Sequence, residues 1–335
     1  MQIVVTNHIF PETHALLAAH GRVIANTALE PWPENVVQEK CREADAVLAF
    51  MPDWIDASFI AACPKLKVIG AALKGYDNID ATAAETAGVW VTIVPDLLTV
   101  PTAELAIGLM LSLGRHVLAG DNRIRAHGFH GWRPTLYGVG LNGARVGIVG
   151  FGRVGHAIAE RLLGFRCRVS AYDSRSSAIP CNLAQSVDQI ALPDLLAQSD
   201  YVVLALPLSD ATLHIINAAA LMRIKPGALL INPARGSLVD ERAVANAIDS
   251  GRLAGYAADV FECEDWARTD RPSAIDARLT ETGVPTLLTP HIGSAVVDVR
   301  REIELSAARS IIEALGGREP SGAVNKPSRP RACST

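Results

Sequence analysis

Short apolar runs recur along this chain, separated by stretches in which apolar residues fall at helical spacing. Residues 2–5, 45–50 (DAVLAF), 66–71 and 89–94 read as buried strands, with helices over 12–20 and 57–62 between them. A second series follows at 146–149, 167–172, 201–206, 228–231, 255–260 and 286–289. Strands that alternate with helices imply parallel sheets covered on both faces, and hence an α/β fold. The first hundred residues hold enough strands for a core of their own, so the chain reads as two lobes. The final helix, near 295–315, has Val299, Ile303, Ala307, Ile311 and Leu315 along one side.

Between the two series lies a stretch that starts at Pro101 and reads as one helix to about residue 126. Pro101 suits a first turn. Leu105, Leu109, Ser112 and Leu113 mark one face, while Ile107, Met110 and Leu111 make the other face apolar too. A helix apolar nearly all round is buried on several sides. It is expected to link the lobes and to contribute to a homodimer contact.

Composition narrows the class. Of 335 residues, 49% are hydrophobic and 20% charged, with a formal net charge of −4. That leaves no basic field for nucleic acid or anionic membranes. No apolar run approaches a bilayer's thickness and no signal-peptide core follows the start, so a cytoplasmic location is expected. The six cysteines form no CxxC pair and have no histidine at ligand spacing, which suggests reduced thiols and no metal. The tail after Gly316, rich in Pro, Ser, Arg and Lys, reads as loosely ordered.

The informative stretch is ARVGIVGFGRVGHAIAERLLGFRCRVSAYDSR, residues 144–175. A strand runs into Gly150-Phe-Gly152-Arg-Val-Gly155, a helix follows, and a second strand ends at Asp173. Gly150 permits the tight turn, Gly152 lets backbone approach a pyrophosphate, and Gly155 lets the helix pack closely. The helix N-terminus with Arg153 and Val154 would receive the phosphates. Asp173, 18 residues after Gly155, would accept from the ribose hydroxyls and repel a 2′-phosphate. NAD is therefore expected. Arg175, beside Ser174, keeps NADP open as a weaker alternative.

The later strands end in unusual polar residues. Leu206 ends one and Pro207 follows it; Asn232-Pro233-Ala234-Arg235-Gly-Ser follows the next; the third carries Asp259 near its end with Glu264 just beyond; and Pro290-His291-Ile-Gly293-Ser294 follows the fourth. In an open parallel sheet a ligand lies beyond the carboxyl ends of the strands, so these residues converge where a nicotinamide would sit. Hydride chemistry on a hydroxylated anion needs a cation, a base and a group that orients the base. Arg235, His291 and Glu264 have those properties.

The order GxGxxG, NPARG, DVFECE and TPHIG resembles the D-2-hydroxyacid dehydrogenases over nearly the whole chain. The resemblance implies Arg235, Glu264 and His291 as the catalytic set. It also implies a discontinuous substrate lobe, flavodoxin-like and smaller (1–99 and 292–335), beside a Rossmann doubly wound lobe (100–291). Lys74, Thr102, Leu206, Pro207, Pro233, Ala234, Arg235, Asp259, His291, Gly293 and Ser294 then join the glycine unit as the expected NAD set. Within that family, Leu73-Lys74-Gly75-Tyr76-Asp77-Asn78, Phe50-Met51-Pro52-Asp53, Gly131-Trp132 with Tyr137, and Glu264-Asp-Trp266-Ala-Arg268 look like the phosphonate (phosphite) dehydrogenases. Those enzymes oxidise phosphite to phosphate with NAD. By that resemblance Lys74, Gly75, Arg235 and His291 meet the substrate, Met51, Trp132 and Tyr137 wall the pocket, and Arg300 lies in a shell behind His291. A small dianion with no carbon tail suits two cations better than one. The alternatives are a 2-hydroxyacid dehydrogenase acting on glyoxylate or hydroxypyruvate, and an NAD(H)-sensing corepressor of the same fold.

Overall fold

The apolar runs form strands because both of their faces are covered. In the computed structural model, which describes residues 1–175 and 179–331, every pairing of the named strands is parallel. Two units form, one from Met1–Leu98 with the segment from Ala295 onward, the other Thr99–Ser294.

In the first unit β1 (Gln2–Val5), β2 (Arg22–Ala25), β3 (Ala46–Ala49), β4 (Val68–Ala71) and β5 (Trp90–Thr92) pair in the order β2-β1-β3-β4-β5. This is the flavodoxin-like order. β3 and β4 are wholly buried. The helix Val297–Leu315 packs on β4 so closely that a Cβ on Gly70 would stand 2.5 Å from Ile311.

In the second unit β6 (Arg145–Val149), β7 (Arg168–Tyr172), β8 (Val187–Gln189), β9 (Tyr201–Leu204), β10 (Ala228–Asn232), β11 (Leu253–Ala258) and β12 (Thr286–Leu288) pair in the order β12-β11-β10-β9-β6-β7-β8. The sheet is doubly wound and reverses direction between β6 and β9. In register Val149 faces Tyr172 and Leu204. The carboxyl ends of the central strands therefore share one edge, and every loop that follows them emerges there.

Four features depart from the pattern in the sequence. β2 and β8 were not legible, because both are short and β2 is at most half-buried. The long apolar stretch is two helices, Thr99–Gly114 and Val117–His127, bent by 58°; no single helix among the described residues is long and apolar enough to cross a membrane. The break follows from packing. Gly114 lies against Tyr201, its carbonyl takes the Val139 amide, and His116 turns left-handed at φ 53°.

The tail is the third departure, for it is tied down as far as Arg331. Buried Asn325 accepts the Val91 amide at 2.8 Å and donates to Val89 O at 2.9 Å. The Arg331 guanidinium donates to the carbonyls of Ala87, Cys63 and Leu66. The tail covers the free edge of β5, which would otherwise leave backbone groups unpaired. Residues 332–335 lie outside the described residues. Lastly, Ile292, Gly293 and Ser294 fall with the second unit, since Asp259 holds the first two of their amides.

Candidate active site

The glycine turn is shaped by what surrounds it. Gly150 sits at φ 94°, and a Cβ there would come within 2.6 Å of Ala205 O; one on Gly155 would stand 2.4 Å from Gly150 O. Both are small for structural reasons. Gly152 differs, for nothing lies within 4 Å of its Cβ position, and it caps the helix Arg153–Leu163 without any side-chain bond to the helix amides. A helix N-terminus left without a side-chain cap fits a pyrophosphate. Arg153 is exposed at the mouth and Val154 packs on the core.

Asp173 begins the loop after β7. Its Oδ2 accepts the Phe151 amide at 2.9 Å, so it is anchored to the glycine turn itself, and its Oδ1 accepts the Arg175 amide at 2.9 Å. A carboxylate has about four acceptor sites, which leaves room for two ribose hydroxyls. Arg175 Nε stands 3.8 Å from Asp173 with its side chain 83% exposed. Ser174 is exposed, and exposed Pro207 and half-buried Leu206 follow β9, where Leu206 abuts Gly150.

The trio comes from three neighbouring loops. His291 follows β12 in a left-handed conformation, φ 55°, and its Nδ1 lies 2.8 Å from Glu264 Oε2. The other oxygen of Glu264 accepts the Phe261 amide at 2.9 Å. With Nδ1–H given to the carboxylate, the neutral ring carries its lone pair on Nε2, where a base needs it. Beneath this pair buried Asp259 accepts from the Thr289 hydroxyl and the Ile292 and Gly293 amides at 2.6, 2.8 and 2.7 Å. Burial pushes its carboxyl up, and those bonds with the nearby imidazole oppose the rise. Thr102 closes on the same point, 3.4 Å from where a Gly293 Cβ would be. Asp259 and Thr102 thus shape the histidine loop.

Arg235 follows β10. Asn232 accepts the Ala234 amide and donates to Arg235 O, at 3.1 and 2.8 Å, and the guanidinium donates to Ala234 O at 3.0 Å. Pro233 is buried in this turn and Ala234 is half-buried. Gly236 then lies directly on the Phe261–Glu262 peptide; a Cβ there would be 1.8 Å from Phe261 C. The arginine loop and the glutamate loop are therefore in backbone contact.

This arrangement, an open helix N-terminus, an acid at the end of the second strand, and an Arg with a Glu–His pair on the same sheet edge, is that of a dinucleotide-dependent hydride-transfer site. The family model "D-isomer specific 2-hydroxyacid dehydrogenase, NAD binding domain" matches residues 107–293. The chain belongs to that family.

Relatives of this dehydrogenase agree in fold and length. A glyoxylate reductase of Pyrococcus furiosus is 36% identical over 299 residues, which cover 88% of this chain and 86% of that protein. That of Aeropyrum pernix is 33% identical over 97% of this chain and 96% of its own length. Among solved structures, the TT0316 protein from Thermus thermophilus has a TM-score of 0.86 at 31% identity, covering 97% of this chain and all of that one. A glyoxylate reductase from Paecilomyes thermophila has 0.80 at 26%, covering 97% and 98%. The dehydrogenase is thus an NAD-dependent oxidoreductase of the 2-hydroxyacid type.

The remaining expected residues divide between the units. In the first, Met51 follows β3, and Lys74 and Gly75 follow β4; all three are half-buried. Arg300, on the last helix, joins them: its Nη1 makes a long 3.5 Å contact with Ala72 O and its guanidinium stands 5.8 Å over the Phe50 ring. Burial lowers its pKa from the arginine norm, against the pull of Glu304, yet arginine stays charged. Its contacts are thus with the Met51 and Lys74 loops, a grouping that sequence spacing did not show. In the second unit Trp132 and Tyr137 follow the bent helix, each 77% exposed.

Sequence reading missed the group beneath the trio: His214, Ser237, Glu241, Glu262 and Asp265, with Arg268. Ser237, Glu262, Asp265 and Arg268 lay inside the quoted motifs without a role of their own, and His214 and Glu241 lay outside them.

Proposed function

We propose that this dehydrogenase oxidises phosphite to phosphate with NAD. The reading is carried by the loops after β3 and β4, where Lys74 and Arg300 bring two cations to one sheet edge, beside small residues and Met51. Phosphite has no carbon to bury, so charge-assisted hydrogen bonds must hold it, and a second cation strengthens the hold on a dianion over a monocarboxylate. Bound NAD supplies the hydride acceptor at its nicotinamide ring. By the resemblance to the phosphite dehydrogenases, Arg235 and Lys74 are the residues assigned to the phosphite oxygens. As the P–H bond yields its hydride, a P–O bond forms to water and His291 Nε2 takes the water proton. Glu264 keeps Nδ1 protonated and stabilises the imidazolium that results.

A second reading, reduction of glyoxylate or hydroxypyruvate, is favoured by relatives of 36% identity that are named glyoxylate reductases. Incubation with NAD and phosphite separates the two. The expected result is NADH and phosphate in equal amounts by absorbance and phosphorus NMR, with slow turnover of NADH and glyoxylate. Brisk glyoxylate reduction with no phosphate formed would overturn the phosphite reading.

We also propose that the enzyme works as a homodimer. Leu118, Phe129, Trp132 and Tyr137 expose apolar surface along one segment after the bend, and clustered exposed apolar side chains are what a protein–protein contact covers. Sedimentation at micromolar concentration is expected to give twice the chain mass; a monomer refutes the proposal.

A further inference from the structure

The loop that carries Arg235 and the loop that carries Glu264 are stapled by a side chain that neither motif contains. Arg268 Nη1 donates to Ser237 Oγ at 2.9 Å, on the arginine loop, and to Glu262 Oε2 at 2.6 Å, on the glutamate loop. Ser237 is fully buried, and its other polar groups are also taken: its amide donates to Asp265 Oδ2 at 2.5 Å and its carbonyl accepts the His214 amide at 2.8 Å. Glu262 Oε2 also meets His214 Nε2 at 2.9 Å, and Glu262 and Glu241 exchange backbone amides and carboxylates at 2.8 and 2.9 Å. The far side of the Arg268 guanidinium meets Asp270, at 3.2 Å from each nitrogen.

The placement matters more than the number of bonds. Ser237 is two residues after Arg235, and Glu262 is two residues before Glu264. Between them Gly236 lies on the Phe261–Glu262 peptide with no space for a Cβ. A cation there bridges the two loops through a hydroxyl on one side and a carboxylate on the other. Arg235 is half-buried and its guanidinium donates to the carbonyl of its own neighbour, Ala234, so the backbone that bears it is one of the groups that direct it.

We propose that Arg268, acting through Ser237 and Glu262, is a positioning residue that sets where the Arg235 guanidinium stands relative to the Glu264–His291 pair. It touches neither substrate nor cofactor. The inference rests on Arg235 binding the substrate oxyanion, whichever anion that is.

The test is a double-mutant cycle on the purified full chain with Arg268→Ala, Arg235→Ala and the pair, scored by kcat/KM and by fluorescence titration of NADH. A displacement of about 1 Å at a reacting group lowers turnover by as much as roughly 100-fold. Arg268→Ala is therefore expected to lower kcat/KM by roughly 10- to 100-fold with NADH affinity unchanged. In the Arg235→Ala background the same change should lower it no further. Ser237→Ala, which removes only a hydroxyl, should reproduce part of the loss with little change in melting temperature, and Arg268→Lys should restore part of it.

A loss of equal size with and without Arg235, or one that tracks NADH affinity, overturns the inference and leaves Arg268 a structural residue. Unchanged kinetics in Arg268→Ala overturn it as well. If Arg235→Ala is itself silent, the role given to Arg235 falls and the inference with it. Should phosphite give no turnover, the cycle runs with glyoxylate and NADH; the substrate reading then fails while the coupling is still measured.

Discussion

Asp173 is the residue on which cofactor choice should turn. Its carboxylate is held from two sides, by the Phe151 amide at one oxygen and the Arg175 amide at the other, both at 2.9 Å. Replacing it with Ala removes two acceptors for the ribose hydroxyls. Hydrogen bonds to a charged group contribute roughly 1.5–3 kcal/mol each; allowing for water that takes their place, about 3 kcal/mol is lost. NADH affinity should fall by roughly 100-fold. The same change removes a charge that repels a 2′-phosphate. At 4 Å and an effective dielectric of about 20 that repulsion is roughly 4 kcal/mol, and solvent at this rim reduces it to about 1–2 kcal/mol. NADPH affinity should rise by about 10-fold, with Arg175, now freed of its carboxylate neighbour, facing the phosphate. Fluorescence titration with both nucleotides reads the result without depending on the substrate. Arg175→Ala on top of Asp173→Ala should cancel the NADPH gain. If NADH and NADPH affinities fall together, the carboxylate serves only to hold the loop, and the reasoning fails.

Three further outcomes follow from particular contacts. Burial raises the Asp53 carboxyl from 3.8 to about 6, so the folded state holds its proton more tightly than the unfolded chain. The contribution of this carboxyl to stability is then greatest below pH 4 and falls by about 3 kcal/mol as pH rises through 6; urea melts of Asp53→Asn should lose that component of the pH slope, and an unchanged slope refutes the assignment. Gly236→Ala must push two backbones apart, since its Cβ would lie 1.8 Å from Phe261 C; turnover is expected to drop by roughly 100-fold or more, and near-normal turnover would contradict the packing. Asn325→Ala orphans the Val91 amide and the Val89 carbonyl on the edge of β5; urea unfolding should show a loss of about 2–4 kcal/mol, and a loss below about 0.5 kcal/mol would show that the tail is dispensable.

The glycine unit was readable because each of its requirements is local. A tight turn, an exposed helix start and an acid at the end of the next strand each fix a residue type at a set distance along the chain. The polar residues that follow β9 to β12 were readable for a related reason: parallel strands bring all their carboxyl ends to one edge, so a motif's position along its strand predicts its position in space. Short edge strands such as β2 and β8 escaped, since exposure leaves no alternation to detect. The break at His116 escaped as well, because it arises from Tyr201 and Val139, remote in sequence from the helix that ends there.

The tail and the staple show the same limit. Nothing in residues 317–331 signals order, because the partners of Asn325 and Arg331 are backbone groups near β5 that any sequence would present. Nothing in FECEDWAR separates Glu262 from Glu264, although one accepts from Arg268 and the other orients His291. The sequence by itself determined the α/β alternation, the nucleotide turn, the acid that ends the next strand and the identity of the Arg, Glu and His. Tertiary structure alone decided which side chains hold that trio in place, that Arg300 stands with the Lys74 loop, and that Trp132 and Tyr137 stay exposed. The physical reason is that periodicity reports which face of an element is buried, whereas a hydrogen bond between two loops depends on where both backbones come to rest.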